Sequence, residues 1–247
     1  MSDHFSSLAS QYAQYRPTYP PALFQWLAEQ TEEHDTAWDC ACGNGQASIN
    51  LAEQYNKVIA TDLSQEQIEA AKPNPKIEYR VATAEKSGLD DHSINLVTVA
   101  QAAHWFSFDA FYKEVRRVLK KKGVIALWSY DLLSLDDATI TKHVNDFCNT
   151  TLKDFWPPER KYVHGHYKNI PFPFEDELNH PAFAMQAHWS LQQLTGYLRS
   201  WSAVKYFKKE KKVDPVVAFE KTLAALWGNP DTAKTIRFPL HMRVARV

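Results

Sequence analysis

The stretch with the most chemistry to offer is Trp38-Asp39-Cys40-Ala41-Cys42-Gly43-Asn44-Gly45-Gln46-Ala47-Ser48. A short apolar run leads into an acid, a Gly-x-Gly turn comes next, and Ile49, Ala52 and Tyr55 then recur at helical spacing. A strand, a tight loop and a helix start let main chain come close to a bound ligand, because glycine has no Cβ and tolerates φ > 0. Seventeen residues beyond Gly45 a second apolar run, Val58-Ile59-Ala60-Thr61, ends in Asp62. An acid at the end of that strand can accept hydrogen bonds from both hydroxyls of a ribose. Together the two features predict that the protein holds a nucleoside.

Which nucleoside depends on charge. Gly43-x-Gly45-x-x-Ser48 can be set on the dinucleotide fingerprint with Ser48 as its third small residue. A pyrophosphate at this helix start would then sit beside the Asp39 carboxylate, and like charges there are costly. A cationic ligand would be welcomed by that acid. S-adenosylmethionine carries a sulfonium and an ammonium, no phosphate, and a ribose for Asp62. At this point the sequence resembles the class I S-adenosylmethionine-dependent methyltransferases, whose motif reads acid-x-Gly-x-Gly-x-Gly against Asp39-x-Ala41-x-Gly43-x-Gly45 here. Ala41 replaces the first glycine, and a side chain there argues against φ > 0.

The resemblance implies further site residues. Ala41, Gly43, Gly45 and Gln46 would line the loop around the cofactor, and Leu63 would lie against the adenine face. Ala84 and Glu85 stand where the family reads the adenine edge. Tyr12 and Arg16 belong to an aromatic N-terminal segment, Tyr12-Ala13-Gln14-Tyr15-Arg16-Pro17, similar to arms that fold over the pocket in such families. Gln101-Ala102-Ala103-His104-Trp105-Phe106 comes after the fourth predicted strand, at the carboxyl edge where open α/β sheets place ligands. Gln101 is a cofactor candidate there, while His104 as a general base and Trp105 as a wall of the methyl-transfer mouth are the catalytic candidates.

The chain supplies a scaffold to gather these residues at one edge. Residues 37–40, 58–61, 77–81, 94–100 and 124–128 read as five strands with helices between them. Ser64-x-x-Gln67 is a capping box, and Phe108, Phe111, Tyr112, Val115, Val118 and Leu119 form one helical stripe, with residues 120–122 in its last turn and Gly123 as its stop. Such alternation implies a doubly wound, mainly parallel sheet. Residues 183–189 and the strict alternation Ile236, Phe238, Leu240, Met242, Val244 are expected to pair antiparallel beside the fifth strand. The family's seven-stranded order, 3-2-1-4-5-7-6 with the last strand antiparallel, accommodates them. The expected division is a single domain over 1–247: an arm and helix at 1–35, a cofactor core at 36–130, a lid or substrate insertion at 131–180, and completing strands and helices at 181–247.

Other chemistry-bearing residues have simpler readings. Cys40-x-Cys42 lacks further ligands at zinc spacing, so no metal is expected. His164, His166, Tyr167 and Lys168 suit either an anionic acceptor or a polar surface loop. The run Lys205-Tyr206-Phe207-Lys208-Lys209-Glu210-Lys211-Lys212 reads as a solvated face. A net charge of −1 gives no global drive towards nucleic acid or membrane, and residues 1–20 contain no apolar stretch of signal or spanning length. The three cysteines fit a reducing, cytoplasmic setting.

The wider pattern, with Tyr197-Leu198-Arg199-Ser200-Trp201-Ser202 and Trp227-Gly228, is similar to the trans-aconitate methyltransferase branch, which acts on small molecules. The expected activity is that of a methyltransferase (EC 2.1.1.-) that passes a methyl group by in-line displacement to a small-molecule acceptor, a carboxylate among the candidates, leaving S-adenosyl-L-homocysteine. The rivals are a non-catalytic S-adenosylmethionine-binding protein or partner subunit, and a nucleic-acid methyltransferase.

Overall fold

The computed structural model describes residues 17–247, so Tyr12 and Arg16 lie outside the described residues. Its main sheet runs β3-β2-β1-β4-β5-β10-β7, built from β1 (Thr36–Cys40), β2 (Lys57–Asp62), β3 (Ile77–Val81), β4 (Ile94–Ala100), β5 (Leu119–Ser129), β7 (Asp176–Glu177) and β10 (His241–Arg246). The five strands from β3 to β5 are parallel, and β10 is antiparallel to both its neighbours. This is the seven-stranded order expected, with the final strand reversed.

Period-two alternation buries both faces of this sheet. In β5, Val124, Ala126 and Trp128 join one apolar cluster with Leu23, Phe24, Leu51 and Tyr55, while Ile125 and Leu127 join another with Trp38, Val97, Phe111 and Val115. The first face is covered by α1 (Pro21–Glu29) and α2 (Gln46–Gln54), the second by α4 (Phe108–Val118). Between them in sequence, the short α3 (Gln65–Glu69) is capped by Ser64, whose side chain accepts from the Gln67 amide as the capping pattern predicts.

Three local expectations give way. The stripe helix stops at Val118, and residues 119–123 already belong to β5, where Lys120 pairs with Glu33 and Asp35 rather than loading a helix end. The C-terminal alternation is two strands, because Pro239 has no N–H to continue a ladder. Leu240 donates instead to the Phe183 carbonyl, and the chain turns from β9 (Lys234–Pro239) into β10. The run at residues 183–189 yields β8 (Ala184–Trp189), which pairs with β9 in a separate three-stranded sheet, β6-β9-β8, where β6 is Ser134–Leu135. The edge place beside β10 goes to the two-residue β7, and Arg243 pairs with its Glu177. Packed on the smaller sheet are α7 (Leu191–Arg199), opened by the Ser190–Gln193 capping box, and α9 (Pro215–Trp227); α8 (Ser202–Lys211) joins them. Residues 131–180 hold α5 (Ala138–Asp146), a π-turn at Phe147–Thr151 and the short α6 (Arg160–His164).

The turn after β1 is left-handed at every position of the glycine motif: φ is +56° at Ala41, +56° at Gly43 and +83° at Gly45. Ala41 therefore adopts the backbone that its side chain argues against. At Gly45 a Cβ would overlap the Tyr79 hydroxyl, so glycine is needed there for space as well. Beneath the turn, Asp39 is fully buried; it accepts from Ser48 Oγ of α2 (2.5 Å) and Thr98 Oγ1 of β4 (3.0 Å). Burial pushes its carboxyl up to about 6, against hydrogen bonds that favour the charged form.

The turn and the acid beneath it each set a measurable outcome. Ala41→Gly removes the cost of a left-handed alanine, so it stabilises the fold by about 1 kcal/mol and raises Tm by roughly 2–4 °C. Calorimetric melting checks this. For Asp39, the folded chain holds a proton between about pH 4 and about 6 that the unfolded chain has released. Its contribution to stability is therefore fully present near pH 4, lost as pH rises through about 6, and constant above. Urea denaturation of Asp39→Asn and parent protein should show the parent gaining about 2 kcal/mol relative to the variant between pH 6.5 and pH 4.

Candidate active site

The carboxyl ends of β1, β2, β3 and β4 face a cavity of about 1120 Å³. That is slightly above the usual range of ligand pockets, roughly 300–1,000 Å³, and leaves room for a second molecule beside a nucleoside. One half of its wall is the expected cradle. Ala41, Gly43 and Gln46 come from the turn, Asp62 and Leu63 from the end of β2, and Ala84 and Glu85 from the segment after β3. Gln101 and Trp105 come from the segment after β4. Residues separated by up to 64 positions in sequence are thus brought together because four parallel strands end at one level.

Three polar side chains in this half are held in place. Asp62 Oδ2 accepts from the Gly43 amide (2.8 Å) and Oδ1 from the Ser64 amide (2.9 Å), which leaves each oxygen a further lone pair towards the cavity. Leu63, 52% exposed, offers an apolar side chain to the cavity beside Asp62. Glu85 accepts from the amide of Ser107 (3.0 Å), the residue preceding α4, and so ties the segment after β3 to the start of that helix. Gln101 is left-handed, with φ +58°; its side chain donates to the Tyr130 carbonyl (2.9 Å) and accepts from the Tyr130 amide (2.8 Å). This two-point clamp fixes the end of β4 against the chain leaving β5.

Other expected residues stand elsewhere. Asp39 lies under the turn rather than on the wall, so it supports the cradle through Ser48 and Thr98 and reaches a ligand only through its field. Gly45 likewise packs on Tyr79 behind the lining. His104 is also off the wall: it is buried, and its Nδ1 pairs with the Tyr167 hydroxyl (2.9 Å). Burial, and then the charge of Arg160, lowers its pKa to about 4. It is a neutral core imidazole rather than a base within reach of an acceptor. The neighbouring Trp105 does face the cavity. Of the polar cluster, His164 pairs with Asp131 (2.8 Å), Tyr167 is fully buried, and His166 stacks on His241 with ring centroids 3.7 Å apart. None of the four, Lys168 included, lines the cavity.

The second half of the wall is mostly new. Tyr19 enters from the chain before α1 and packs edge-on against Trp128 at 5.6 Å. Asp154, Phe155, Trp156 and Pro157 come from the segment before α6, and Tyr206 and Glu210 from α8. The last two sit within the lysine-rich run. The spacing i, i+4 puts both on one helix face, a signal that was available but hidden by the charge around it. Among the described residues no group of His, Cys, Asp and Glu is placed to hold a metal ion, and no helix is long and apolar enough to cross a membrane.

The cradle fits the cofactor that the motif implies. Its turn bares main chain, its carboxylate is preset for a diol, and an exposed leucine awaits a flat face. Comparison with known proteins points the same way. Residues 38–127 match the family described as a methyltransferase domain. Over 251 aligned residues the chain is 34% identical to a provisionally named methyltransferase of Dictyostelium discoideum, across 99% of this chain and 95% of that one. A Saccharomyces cerevisiae protein, provisionally assigned as an S-adenosylmethionine-dependent methyltransferase, is 25% identical over 131 residues, 49% of this chain and 45% of that protein. A provisionally named type II methyltransferase from Anaeromyxobacter dehalogenans superposes with a TM-score of 0.88 at 38% identity, over 94% of this chain and 98% of that chain. With a nucleoside cradle at the sheet's switch point and relatives that match from end to end, the chain belongs to the class I S-adenosylmethionine-dependent methyltransferases, and S-adenosylmethionine is its cofactor.

Proposed function

We propose that this chain methylates a small molecule bound in the outer half of its cavity. The observation that carries the reading is the continuity of one 1120 Å³ space from the nucleoside cradle to an aromatic chamber walled by Phe155, Trp156 and Tyr206. The cofactor supplies an electrophilic methyl group on a sulfonium, and the chain's work is to bind, align and exclude water. Asp62 would hold the ribose, Leu63 the adenine face, and Ala84 with Glu85 the adenine edge. Ala41, Gly43, Gln46 and Gln101 would border the methionine portion; the candidates Tyr12 and Arg16 lie outside the described residues. Asp39 assists from below as a buried acid, while Trp105 walls the junction of the two halves.

The segment 131–180 serves as the lid in this reading. Its Asp131–Arg160 ion pair (2.8 Å) and the Arg160 guanidinium, 3.6 Å from the Trp156 ring centroid, hold the aromatic wall in place. Positioning of acceptor, methyl carbon and sulfur in one line can supply much of the rate, so no protein base is required for an acceptor that is already nucleophilic. A carboxylated acceptor of the trans-aconitate type is poorly served, since no Lys, Arg or His of the described residues lines the cavity. The same wall disfavours a nucleic-acid substrate, which needs a basic track. A cytoplasmic setting accords with the free thiols of Cys40, Cys42 and Cys148.

The test is calorimetry with S-adenosylmethionine and S-adenosylhomocysteine on the parent and on Asp62→Ala. Loss of charge-assisted hydrogen bonds to a diol weakens both ligands by about 10- to 100-fold. Equal binding by Asp62→Ala would remove the cofactor assignment. Tight cofactor binding with no methylated product across a panel of amines, phenols and acids would favour a non-catalytic binding protein.

A further inference from the structure

We infer that the acceptor is a nitrogen base on an apolar body, cationic when protonated and again after methylation, and not an anion; this rests on the methyl-transfer reading above. The chamber opposite the cradle is walled by Phe155, Trp156 and Tyr206 together with Asp154, Glu159 and Glu210. Ring faces are negative and attract cations, and acidic side chains beside them add to that field. The rings are backed by others: Phe155 lies 4.7 Å from Phe207, and Trp156 lies 5.5 Å from Trp201. The wall is therefore a built aromatic surface.

The positive groups that come near it are already engaged. Arg160 lies on Trp156 and is paired with Asp131, and Lys211 pairs with Glu210 at 2.7 Å and lies 5.9 Å from the Phe155 ring centroid, so the wall already carries cations on its outer side. Asp154 and Glu159 have no ion-pair partner among the described residues. An apolar chamber with two uncompensated acids attracts a cation and repels a carboxylate or a phosphate.

The reaction's own charge movement agrees with this wall. A bound ammonium first gives its proton to water at the mouth; the lone pair so freed on the neutral amine then forms the bond to the methyl carbon while the carbon–sulfur bond breaks and its pair returns to sulfur. The sulfonium becomes a neutral thioether, and the positive charge moves to nitrogen. From a primary or secondary amine that charge leaves as a proton to water at the mouth, where Asp154 is exposed. From a tertiary amine it stays as a quaternary ammonium, an ion that aromatic walls hold well. Methylation of a carboxylate would instead bring an anion into the acidic chamber and release a neutral ester.

Ligands matched in body and differing in charge decide the matter. S-adenosylhomocysteine binding to the full chain is measured first, by calorimetry; its failure would strike the cofactor reading and not this one. With that ligand saturating, 2-phenylethylamine, N,N-dimethyl-2-phenylethylamine, 3-phenylpropanol and 3-phenylpropanoate are compared, together with the indolyl and alkyl members of each class. Amines should bind at least about tenfold tighter than the carboxylates of the same body. In Asp154→Asn/Glu159→Gln the amines should lose about five- to tenfold, with the alcohol changed less than about twofold and S-adenosylhomocysteine unaffected. Should that double variant not fold, Glu159→Gln alone and the parent comparison still decide. Carboxylates that bind as well as amines, no binding by any amine, or amine affinity indifferent to the acid substitutions would each overturn the proposal.

Discussion

The carboxylate of Asp62 is the hinge of the binding edge, because it is committed in two directions at once. Its oxygens accept the Gly43 and Ser64 amides, which fastens the turn after β1 to the segment after β2 across the sheet. Both amides sit in stretches that cannot satisfy them within the sheet ladder, and a buried donor without a partner is expensive. The acid that lines the cavity thus also closes the rim of the cradle. A side chain that only bound ligand would be free to swing. This one is oriented before the ligand arrives, which reduces the ordering cost of binding.

Below that rim the charge arrangement is unusual for a core. Asp39 has no solvent and no cationic partner in its hydrogen-bond shell, which holds the Ser48 and Thr98 hydroxyls and the Ser48 backbone amide. A carboxyl so placed is held near the point where it can be either charged or neutral, as its pKa of about 6 records. An approaching sulfonium and ammonium would favour the charged form, so the fold carries an electrostatic cost that a cationic ligand relieves. The hydroxyls of Ser48 and Thr98 come from α2 and β4, so this same acid joins three elements at the switch point of the sheet.

Much of this was legible in the sequence because it is local. The acid-x-Ala-x-Gly-x-Gly turn, the acid that ends β2, the Ser64 and Ser190 caps and the five buried strands each arise from short-range pattern. Where short range misled, a specific tertiary force was responsible. Ala41 is left-handed although alanine resists it, because the Cys42 amide is drawn to the Thr61 carbonyl (2.9 Å) and the Gly43 amide to Asp62. Alternation from Ile236 to Val244 read as one strand, yet a single missing N–H at Pro239 let its two halves join different sheets. His104 looked like a base because its neighbours stand at a ligand edge. Its ring instead turns into the core to meet Tyr167, a partner 63 residues away that no local pattern could supply.

The division between what could and could not be read matches the division of labour within the cavity. The cofactor half is made largely by main chain and strand ends, whose positions are fixed by the doubly wound sheet and whose sequence marks are glycines and terminal acids. The outer half is made by side chains from the segment before α6 and from α8, about 50 residues apart and on elements outside the core alternation. Each of those segments also has a structural duty: Phe155 packs on Phe207, Trp156 on Trp201, and Lys208, Lys209 and Lys211 of α8 face water. A helix that turns lysines outward can turn Tyr206 towards the chamber, with the exposed Glu210 one turn further on at its rim, so a run that reads as basic in sequence also presents an aromatic side chain and an acid to the chamber. Composition averaged along the run therefore hides the aromatic contribution that helical phase resolves.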